Sequence, residues 1–482
     1  MGGAHRLDQL GGRLTVRVGP AGDDHRVRVR EVVESVVGLQ EEAADPHRSA
    51  PAEGEVVPGV HEVGQIGSED LDGYGQFVVE HAVGDGQRDS GHVRNCTWHV
   101  VSDTRAGCRR KDRMWVSGRS GPASQRVFEW TGSSLMGSGQ LVAVFGAYGR
   151  TGRFVVAELV ARGFVPVLSG RNAQALAELA EEHGLEARAA SVEDPASLDR
   201  ALAGAAAVIN CAGPFASTTG PVIEAALRAR IPYLDVAAEL EANLDTFAHY
   251  RERARDAGAV VVPAMAFFGG LGDLLVTAAM GDWTGADEAH IAYALSSWHP
   301  TAGTRLSGAV SRERRGDHRL RYSGGQWERR SDAAPTLEWA FPEPMGPRSV
   351  IGEFTMADVV TVPQHLSIPE VTTYMNTEAV RDVAAPDTPA PTAADGSGRS
   401  DQTFLVDVVV RSGKAERRIT AAGQDIYAIT APLVAEALER VLTGATRTTG
   451  VAPAGEIFDA PDFLRALGPH LTVDLHPEKQ TA

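Results

Sequence analysis

One glycine-rich stretch decides the fold of this chain: Gly146-Ala147-Tyr148-Gly149-Arg150-Thr151-Gly152-Arg153. It follows the apolar run 141–145 and precedes the helical pattern 154–162. A strand, a glycine turn and a helix in this order are typical of the start of a βαβ unit. The spacing G-x-x-G-x-x-G leaves room for a phosphate at the amides of the helix N-terminus. The stretch therefore predicts a dinucleotide-binding turn, with a plain structural turn as the alternative.

The pattern of alternating strands and helices continues beyond this turn. Apolar runs at 165–168, 187–192, 207–210, 233–236 and 260–262 are separated by helical patterns. This alternation predicts an α/β fold with a Rossmann doubly wound parallel sheet. From about residue 285 the pattern changes to hairpin-like strands, which predicts a second, mixed α+β domain.

We expect four segments along the chain. Residues 1–135 form an unmatched N-terminal extension, 136–284 the Rossmann domain, and 285–428 a mixed domain for substrate binding or dimerisation. Within the mixed domain, the Pro, Ala, Asp and Gly content of 384–402 indicates a mobile loop. Residues 429–482 are expected to return as helices to the Rossmann domain.

The first 135 residues lack a persistent hydrophobic period. Two interpretations remain open. Either the segment is a disordered extension, or translation begins at Met136; we favour the second.

Bulk composition excludes several classes of function. The formal charge of −17 argues against a general nucleic-acid binder, because phosphate contacts need a basic face. No apolar run reaches the roughly 20 residues of a membrane helix. Three cysteines without metal-ligand spacing, and an N-terminus without an apolar core, predict a reduced, cytoplasmic protein with no metal site.

The end of the second strand indicates which dinucleotide is bound. An NAD site usually places Asp or Glu there to bind the ribose hydroxyls. This chain has Ser169-Gly170-Arg171-Asn172, in which a guanidinium can pair with a 2′-phosphate and a serine hydroxyl can assist. Asn172 is also placed to cap the next helix. The predicted cofactor is NADP(H). The alternative is that Arg171 is only a solvated charge beside the helix start.

Taken together, these motifs resemble the saccharopine dehydrogenase-like, NADP-binding oxidoreductases. The resemblance includes Asn210-Cys211-Ala212-Gly213-Pro214-Phe215 and a second motif that runs from Tyr233-Leu234-Asp235-Val236 to Glu239. It extends to 263–273 and more loosely to 423–427, and covers about residues 136–475. It implies that 210–215 line the nicotinamide side and that 233–239 border the active cleft. The chain departs from the family pattern at 266–273, which is richer in glycine, and at Ala237-Ala238-Glu239. These departures leave the substrate undetermined.

The cofactor-binding residues expected from the turn, the second strand and this resemblance are Gly146, Tyr148, Gly149, Arg150, Thr151, Gly152, Ser169, Arg171, Asn172, Asn210, Ala212, Gly213 and Pro214.

Four side chains are candidates for proton transfer. Asp235 ends a strand at the carboxyl edge of the sheet, and Glu239 either acts in catalysis or caps the following helix. Asp273 either acts in catalysis or caps the helix 274–280. Tyr427 either acts in catalysis or packs under the last helix. His299 is a weaker candidate for proton transfer. Cys211 is expected to behave as a small apolar residue, and His365 has no identifiable partner in the sequence. No tyrosine is followed by a lysine four positions on, so a Tyr–Lys mechanism is excluded.

These observations predict an NADP(H)-dependent oxidoreductase that acts on a small organic substrate by hydride transfer. The alternative, from another class, is a non-catalytic NADP(H)-binding sensor or scaffold. We expect a small molecule as partner rather than nucleic acid or membrane, and consider a homodimer.

Overall fold

The computed structural model describes residues 5–8, 13–18, 77–82, 95–100, 139–316 and 318–480. The chain divides into two units, Met1–Ser134 and Leu135–Ala482. In the first unit four strands form an antiparallel sheet in chain order: β1 His5–Asp8, β2 Arg13–Val18, β3 Phe77–Ala82 and β4 Asn95–Val100. The sequence pattern predicted no persistent element here. Most of residues 1–135 lie outside those described, and the choice between disorder and a start at Met136 stays a prediction.

Two β-sheets organise the second unit. Its strands are β5 Leu141–Phe145, β6 Val165–Gly170, β7 Glu186–Ala189, β8 Ala207–Asn210, β9 Tyr233–Asp235, β10 Val260–Val262, β11 Glu288–Leu295, β12 Arg319–Ser323, β13 Gln326–Arg330, β14 Thr336–Ala340, β15 Pro347–Gly352, β16 Glu370–Asn376, β17 Thr403–Ser412, β18 Ala415–Gln424, β19 Gly450–Val451, β20 Thr472–Leu475 and β21 Lys479–Gln480.

Helices connect these strands and cover both sheets. They are α1 Arg150–Ala161, α2 Ala173–His183, α3 Pro195–Leu202, α4 Phe215–Ala229, α5 Leu240–Asp256, α6 Gly272–Met280, α7 Ala302–Arg315, α8 Asp358–Thr361, α9 Thr377–Ala384, α10 Thr430–Leu442, α11 Ala454–Ile457 and α12 Ala460–Ala466. A tight glycine turn, Phe267–Leu271, precedes α6, and a short 3₁₀ turn, Val362–Gln364, follows α8. Within the described residues, no helix combines the length and apolar character needed to cross a bilayer.

The first sheet has seven parallel strands in the order β19-β10-β9-β8-β5-β6-β7. Its faces are covered by different helices. Val142 and Val144 of β5 join the core under α1 and α2, whereas Ala143 and Phe145 join the core under α3, α4 and α5. A strand that is apolar on both faces suits a sheet covered on both sides. The predicted α/β class with a Rossmann doubly wound sheet is confirmed.

The second sheet is mixed and has ten strands. Its main path runs β13-β12-β16-β11-β17-β18-β20, with β14 and β15 paired beside β16, and β21 beside β18. Only β11 and β16 pair in parallel along this path; the other pairs are antiparallel. Side chains of both sheets, such as Ile209 of β8 and Val406 of β17, belong to one apolar core. The predicted second mixed domain is therefore present and packs directly on the first.

The structure adds elements that the sequence pattern did not predict. Helix α7 and strands β14, β15 and β16 are elements for which the sequence analysis made no specific prediction. The C-terminal part divides between the sheets: β19 joins the parallel sheet and β20 joins the mixed one.

Candidate functional site

The strand order creates a topological switch point beside β5. Strand β6 lies on one side of β5 and β8 on the other. Connections from β5 and β8 leave toward opposite faces of such a sheet, so a crevice opens at the carboxyl edge, where α/β proteins bind ligands. The turns at this crevice, 146–149 and 211–214, are the segments that the sequence motifs single out.

The two turns touch each other, and glycine is required at the contact. Gly146 has a φ of +90°, and a Cβ at this position would lie 2.7 Å from the amide nitrogen of Ala212. A Cβ on Gly152 would lie 2.2 Å from the carbonyl oxygen of Gly146, so α1 packs directly on the end of β5. The amide of Gly149 donates to the same carbonyl at 3.1 Å. These glycines let the helix N-terminus approach the strand end closely.

The N-terminus of α1 offers backbone donors to an anion. No side chain caps this helix, whose N-cap residue is Gly149. The amides of Gly146 and Ala147 already donate to the Ser169 carbonyl. The first-turn amides, including that of Thr151, are those that a helix leaves without an intrahelical acceptor. Together with the helix dipole, this glycine cradle fits the pyrophosphate of a dinucleotide.

The end of β6 holds the residues predicted to select the cofactor. Arg171 is exposed and makes no hydrogen bond or ion pair within the described part of the chain. Ser169 is fully buried, and its hydroxyl has no hydrogen-bond partner in the described part of the chain. Asn172 caps α2, accepting a backbone amide 3.1 Å from its Oδ1 atom, as predicted. The ring of Tyr148 covers Gly170, where a Cβ would lie 2.8 Å from Cε1. Arg171 is thus the cation available at this end of the crevice.

Asn210 shapes the turn after β8. Its side-chain amide donates to the hydroxyl of Tyr233 at 3.2 Å, and its Oδ1 accepts from the amide of Ala212 at 3.0 Å. The hydroxyl of Thr218 donates to the Ala212 carbonyl. These bonds hold the turn 211–214, which ends at Pro214 in the N-cap position of α4. The resemblance implied a cofactor contact for Asn210, and the geometry supports an indirect role through the turn.

Asp235 lies at the centre of this network and is fully buried. One of its oxygens accepts from the amides of Ala237 at 3.0 Å and Ala264 at 2.8 Å, and the other from the Tyr233 hydroxyl at 2.9 Å. Burial raises the pKa of Asp235 to about 6, although these hydrogen bonds oppose the shift. The side chain ties β9 to the turn after β10. Its surroundings favour a positioning role over contact with a substrate.

Glu239 does not cap the following helix with its side chain, which was the alternative role expected from the sequence. It occupies the N-cap position of α5, but its side chain makes no capping hydrogen bond to that helix. Its carboxylate instead accepts from the amide of Phe215, 3.3 Å away, at the start of α4. Burial raises the pKa of Glu239, while hydrogen bonds from Ser307 and Phe215 lower it in part. Glu239 is partly exposed, so it remains available for proton transfer.

Asp273 is fully buried near the start of α6. Its side chain does not cap α6, contrary to the alternative interpretation. One oxygen lies 2.8 Å from Nε2 of His365, and the other accepts from the amide of Gly455 at 2.7 Å. Burial lowers the pKa of His365, but the charge and hydrogen bond of Asp273 outweigh it, so the pKa is raised. No local sequence pattern indicated this partner of His365, which lies 92 residues away along the chain.

Tyr427 lies beside the start of α7. Its hydroxyl donates to the carbonyl of His299 at 3.2 Å, is 3.0 Å from the Thr304 hydroxyl, and receives the amide of Thr301 at 3.4 Å. Burial raises the pKa of Tyr427. The ring of His299 makes no hydrogen bond within the described part of the chain.

Arg150 joins the glycine turn to this region. Its guanidinium pairs with Asp425 at 2.8 Å, donates to the carbonyls of Pro391 and Gly398, and lies 6.0 Å from the ring centre of Tyr427. The side chain therefore turns toward the second domain, while its backbone remains at the helix N-terminus. The predicted cofactor contact of Arg150 would therefore be made by its backbone amide.

Asp425 also anchors the segment predicted to be mobile. It is fully buried, and its carboxylate accepts from the amide and hydroxyl of Ser400 in addition to Arg150. Arg305 binds two more carbonyls of the segment, those of Ala385 and Thr388. Residues 385–402 have no regular secondary structure but are tied to α1, α7 and the start of α10.

We expect Asp425→Asn to loosen this segment. The asparagine amide is uncharged, so the hydrogen bonds from Arg150 and Ser400 lose a charged acceptor. This loss costs about 2 kcal/mol, the contribution of hydrogen bonds to a charged group. Amide hydrogens of residues 386–400 should then exchange roughly 30-fold faster by mass spectrometry. Asp395→Asn is the control, because the Asp395 side chain bonds only within the segment. Equal exchange in the two variants would contradict the anchoring role.

Helix α7 supplies functional candidates that sequence reasoning missed. Thr304 contacts Tyr427, and Ser307, nearly one turn later, contacts Gly213: a Cβ on this glycine would lie 2.6 Å from the Ser307 hydroxyl oxygen. Residues three apart lie on one helix face. The glycine and threonine content around 301–304 was the one available signal, and it suggested a loop rather than a helix.

Two further features limit the chemistry of the site. Desolvation raises the pKa of the Cys211 thiol far above its ordinary value, so the thiol stays protonated and behaves as a small apolar group. Among the residues that the structure describes, no cluster of His, Cys, Asp or Glu has the arrangement of a metal site.

Comparisons with known proteins concern mainly the parallel sheet. Residues 142–262 match the family described as the saccharopine dehydrogenase NADP binding domain. An Arabidopsis thaliana protein, named a probable mitochondrial saccharopine dehydrogenase-like oxidoreductase, is 30% identical over 142 residues, 26% of this chain and 31% of that protein. The Homo sapiens saccharopine dehydrogenase-like oxidoreductase is 27% identical over 145 residues, 26% of this chain and 34% of that protein.

The fold similarity extends further than the sequence similarity. Apo saccharopine dehydrogenase (L-Glu forming) from Saccharomyces cerevisiae superposes with a TM-score of 0.51 at 14% identity, covering 70% of this chain and 100% of that one. The sequence match spans about a third of the length of the curated relatives. The saccharopine dehydrogenase NADP-binding domain family thus matches residues 142–262, and the resemblance stated from the sequence is confirmed over that range.

Proposed function

We propose that this protein is an NADP(H)-dependent oxidoreductase that acts on a small organic substrate by hydride transfer. The observation that carries the proposal is the pairing of a Cβ-free cradle at the N-terminus of α1 with the exposed Arg171 at the end of β6, which has no partner among the described residues. The cradle suits a pyrophosphate, and Arg171 suits a 2′-phosphate. When bound, the nicotinamide dinucleotide would supply or accept the hydride.

The protein side of the reaction would be divided among three groups of residues. The amides of α1 and the guanidinium of Arg171 would bind the phosphates. The network of Asn210 and Asp235 would hold the turn 211–214 against the nicotinamide. Glu239 is the carboxyl group next to that turn with access to solvent, so it is the leading candidate for moving the substrate proton. Tyr427 is the second candidate, although its hydroxyl already has three partners.

The first test is a fluorescence titration of the full chain with NADPH and NADH. We expect NADPH to bind at least about tenfold more tightly, which corresponds to about 1.4 kcal/mol. Arg171→Ala should remove most of this preference, since it deletes the charge facing the 2′-phosphate. Arg200→Ala is the matched control, because Arg200 is also exposed but lies on α3 and faces Asp194.

The outcomes separate the hypotheses. An undiminished NADPH preference in Arg171→Ala would assign selectivity to another group. No binding of either nucleotide would exclude the oxidoreductase and the sensor together.

A non-catalytic NADP(H) sensor or scaffold is the second candidate. It is favoured by one observation: two of the four predicted catalytic residues, Asp235 and Asp273, are fully buried with both carboxyl oxygens bonded. NADPH oxidation with a panel of aldehydes, imines and activated alkenes distinguishes the two, because a sensor would bind NADPH without turnover. The homodimer and the cytoplasmic location remain predictions.

A further inference from the structure

A cavity of about 260 Å³, its opening included, lies between segment 385–402 and the loop that joins β11 to α7. Ser297 and His299 of that loop line one side together with Tyr427, and five residues of the segment line the other side. The side-chain amide of Gln402 crosses between the two sides and donates to the Ser297 carbonyl at 2.6 Å. The segment is therefore a wall of the cavity, and the contacts that anchor the segment also keep the cavity in shape.

The cavity lies beside both turns of the dinucleotide crevice. The ring centre of Tyr427 is 6.0 Å from the guanidinium carbon of Arg150, whose backbone belongs to the glycine turn. The Tyr427 hydroxyl is 3.0 Å from that of Thr304, and Ser307, nearly one turn later on the same face of α7, lies against Gly213. A substrate that reacts at the turn 211–214 can therefore place its far end in the cavity.

The side chains that line the cavity offer acceptors. Asp401 is exposed, and its carboxylate makes no hydrogen bond or ion pair within the described part of the chain. The hydroxyl groups of Ser297 and Thr392 likewise have no hydrogen-bond partner among the described residues. One carboxylate and two hydroxyl oxygens match the three donors of an ammonium group.

The cations around the cavity are already engaged. Among the described residues that line it, none is a lysine or an arginine. The two arginines that hold the segment bind elsewhere: Arg150 pairs with Asp425 at 2.8 Å, and Arg305 donates to the carbonyls of Ala385 and Thr388. A carboxylate entering the cavity would meet the negative charge of Asp401 without a free cation to offset it. The cavity therefore favours a cationic group over an anionic one.

We propose that this cavity binds the ammonium group of an amine-bearing substrate, with Asp401 as the counter-ion and segment 385–402 as the cover. The inference rests on the proposed oxidoreductase function. It narrows the small organic substrate to a molecule that carries a cationic amine at the end away from the reacting carbon. Asp401 supplies the charge-assisted hydrogen bond, and the hydroxyls of Ser297 and Thr392 accept the remaining ammonium hydrogens.

The test measures the binding of n-butylammonium, butan-1-ol and butyrate to the full chain by saturation-transfer difference NMR. We expect butylammonium to bind and butyrate neither to bind nor to compete. Asp401→Asn should weaken butylammonium binding by about tenfold, the size of one hydrogen bond to a charged group. Thr392→Val should weaken it by a smaller factor, about threefold, because only a neutral hydrogen bond is lost.

Asp395→Asn is the matched control, because Asp395 belongs to the same segment but bonds within it and does not line the cavity. The control is needed because the formal charge of −17 attracts cations to the whole surface. It should leave butylammonium binding unchanged. Equal weakening in Asp395→Asn and Asp401→Asn would overturn the inference, and so would butyrate binding as tight as that of butylammonium.

Turnover provides a second readout. In the NADPH oxidation panel, an aldehyde that carries an ammonium group should react faster than one of equal length that carries a carboxylate. Asp401→Asn should then raise KM for the amine by about tenfold and leave kcat within about twofold, as expected for lost binding alone. Preference for the carboxylate would overturn the inference. Butylammonium binding needs neither NADPH nor turnover, so failure of NADPH to bind would overturn the proposed function separately.

Discussion

Replacing Gly152 by alanine is expected to abolish dinucleotide binding and to lower the free energy of unfolding by about 3 kcal/mol or more. The new Cβ would lie 2.2 Å from the carbonyl oxygen of Gly146 and 2.9 Å from that of Ala147, both of them backbone atoms that cannot swing aside. Overpacking of this kind costs about 1–3 kcal/mol even where side chains can adjust. Helix α1 would have to move away from β5, which would displace the amides that face the phosphates.

Gly308→Ala is the matched control for this prediction. Gly308 also lies inside a helix, α7, but a Cβ at this position meets nothing within 4 Å. Alanine should therefore stabilise that helix by about 0.5–1 kcal/mol, the ordinary gain over glycine. Urea unfolding and NADPH titration of both variants check the prediction. A Gly152→Ala protein as stable and as tightly bound to NADPH as the wild type would show that α1 does not need this close approach.

The second large effect is expected at Asp358, which is fully buried on α8. One oxygen accepts from the hydroxyl of Tyr293 at 2.8 Å, and the other has no partner among the residues that the structure describes. Burial raises the pKa of Asp358 to about 7, and the nearby charge of Asp273 adds to the shift. Because the folded pKa lies above that of the unfolded chain, the folded state binds the extra proton. The stabilisation is present at low pH and is lost as the pH rises toward 7.

Asp358→Asn should therefore flatten the pH dependence of stability. Between pH 5 and pH 8 the wild type should lose about 3 kcal/mol more than the variant, from the shift between an ordinary aspartate and a pKa of about 7. Urea unfolding at both pH values measures this difference. Asp395→Asn serves as control, because hydrogen bonds lower the pKa of the half-buried Asp395 to about 2, below the measured range. Parallel curves for the wild type and Asp358→Asn would contradict a protonated Asp358.

Local sequence patterns were sufficient for the parallel sheet. The run 141–145, the glycine turn and the capping residue Asn172 each act over a few neighbouring residues, so their consequences could be predicted without knowing the fold. Helix α7 was missed for the opposite reason. Its sequence contains Gly303, Gly308, threonine and serine, which favour loops, and it is held in place by contacts with α5 such as Arg314 to Asp245 at 2.8 Å.

The acidic residues show the same limit at the level of the site. Asp235, Glu239 and Asp273 were all candidates because each follows or begins a predicted element. The structure places the first in a closed network, the second at the turn 211–214, and the third with His365. Which of three similar carboxyl groups keeps contact with solvent depends on residues far away in the chain.

The sequence by itself determined the Rossmann class, the position of the glycine turn and the absence of an acidic residue after the second strand, because these depend on spacing within single βα units. Tertiary structure alone decided that Arg150 turns toward Asp425, that Glu239 bonds to α4 instead of its own helix, and that Ser307 lies on Gly213. Each of these contacts joins elements separated by many residues, and their distances are set by the packing of two sheets on one core, which no local pattern encodes.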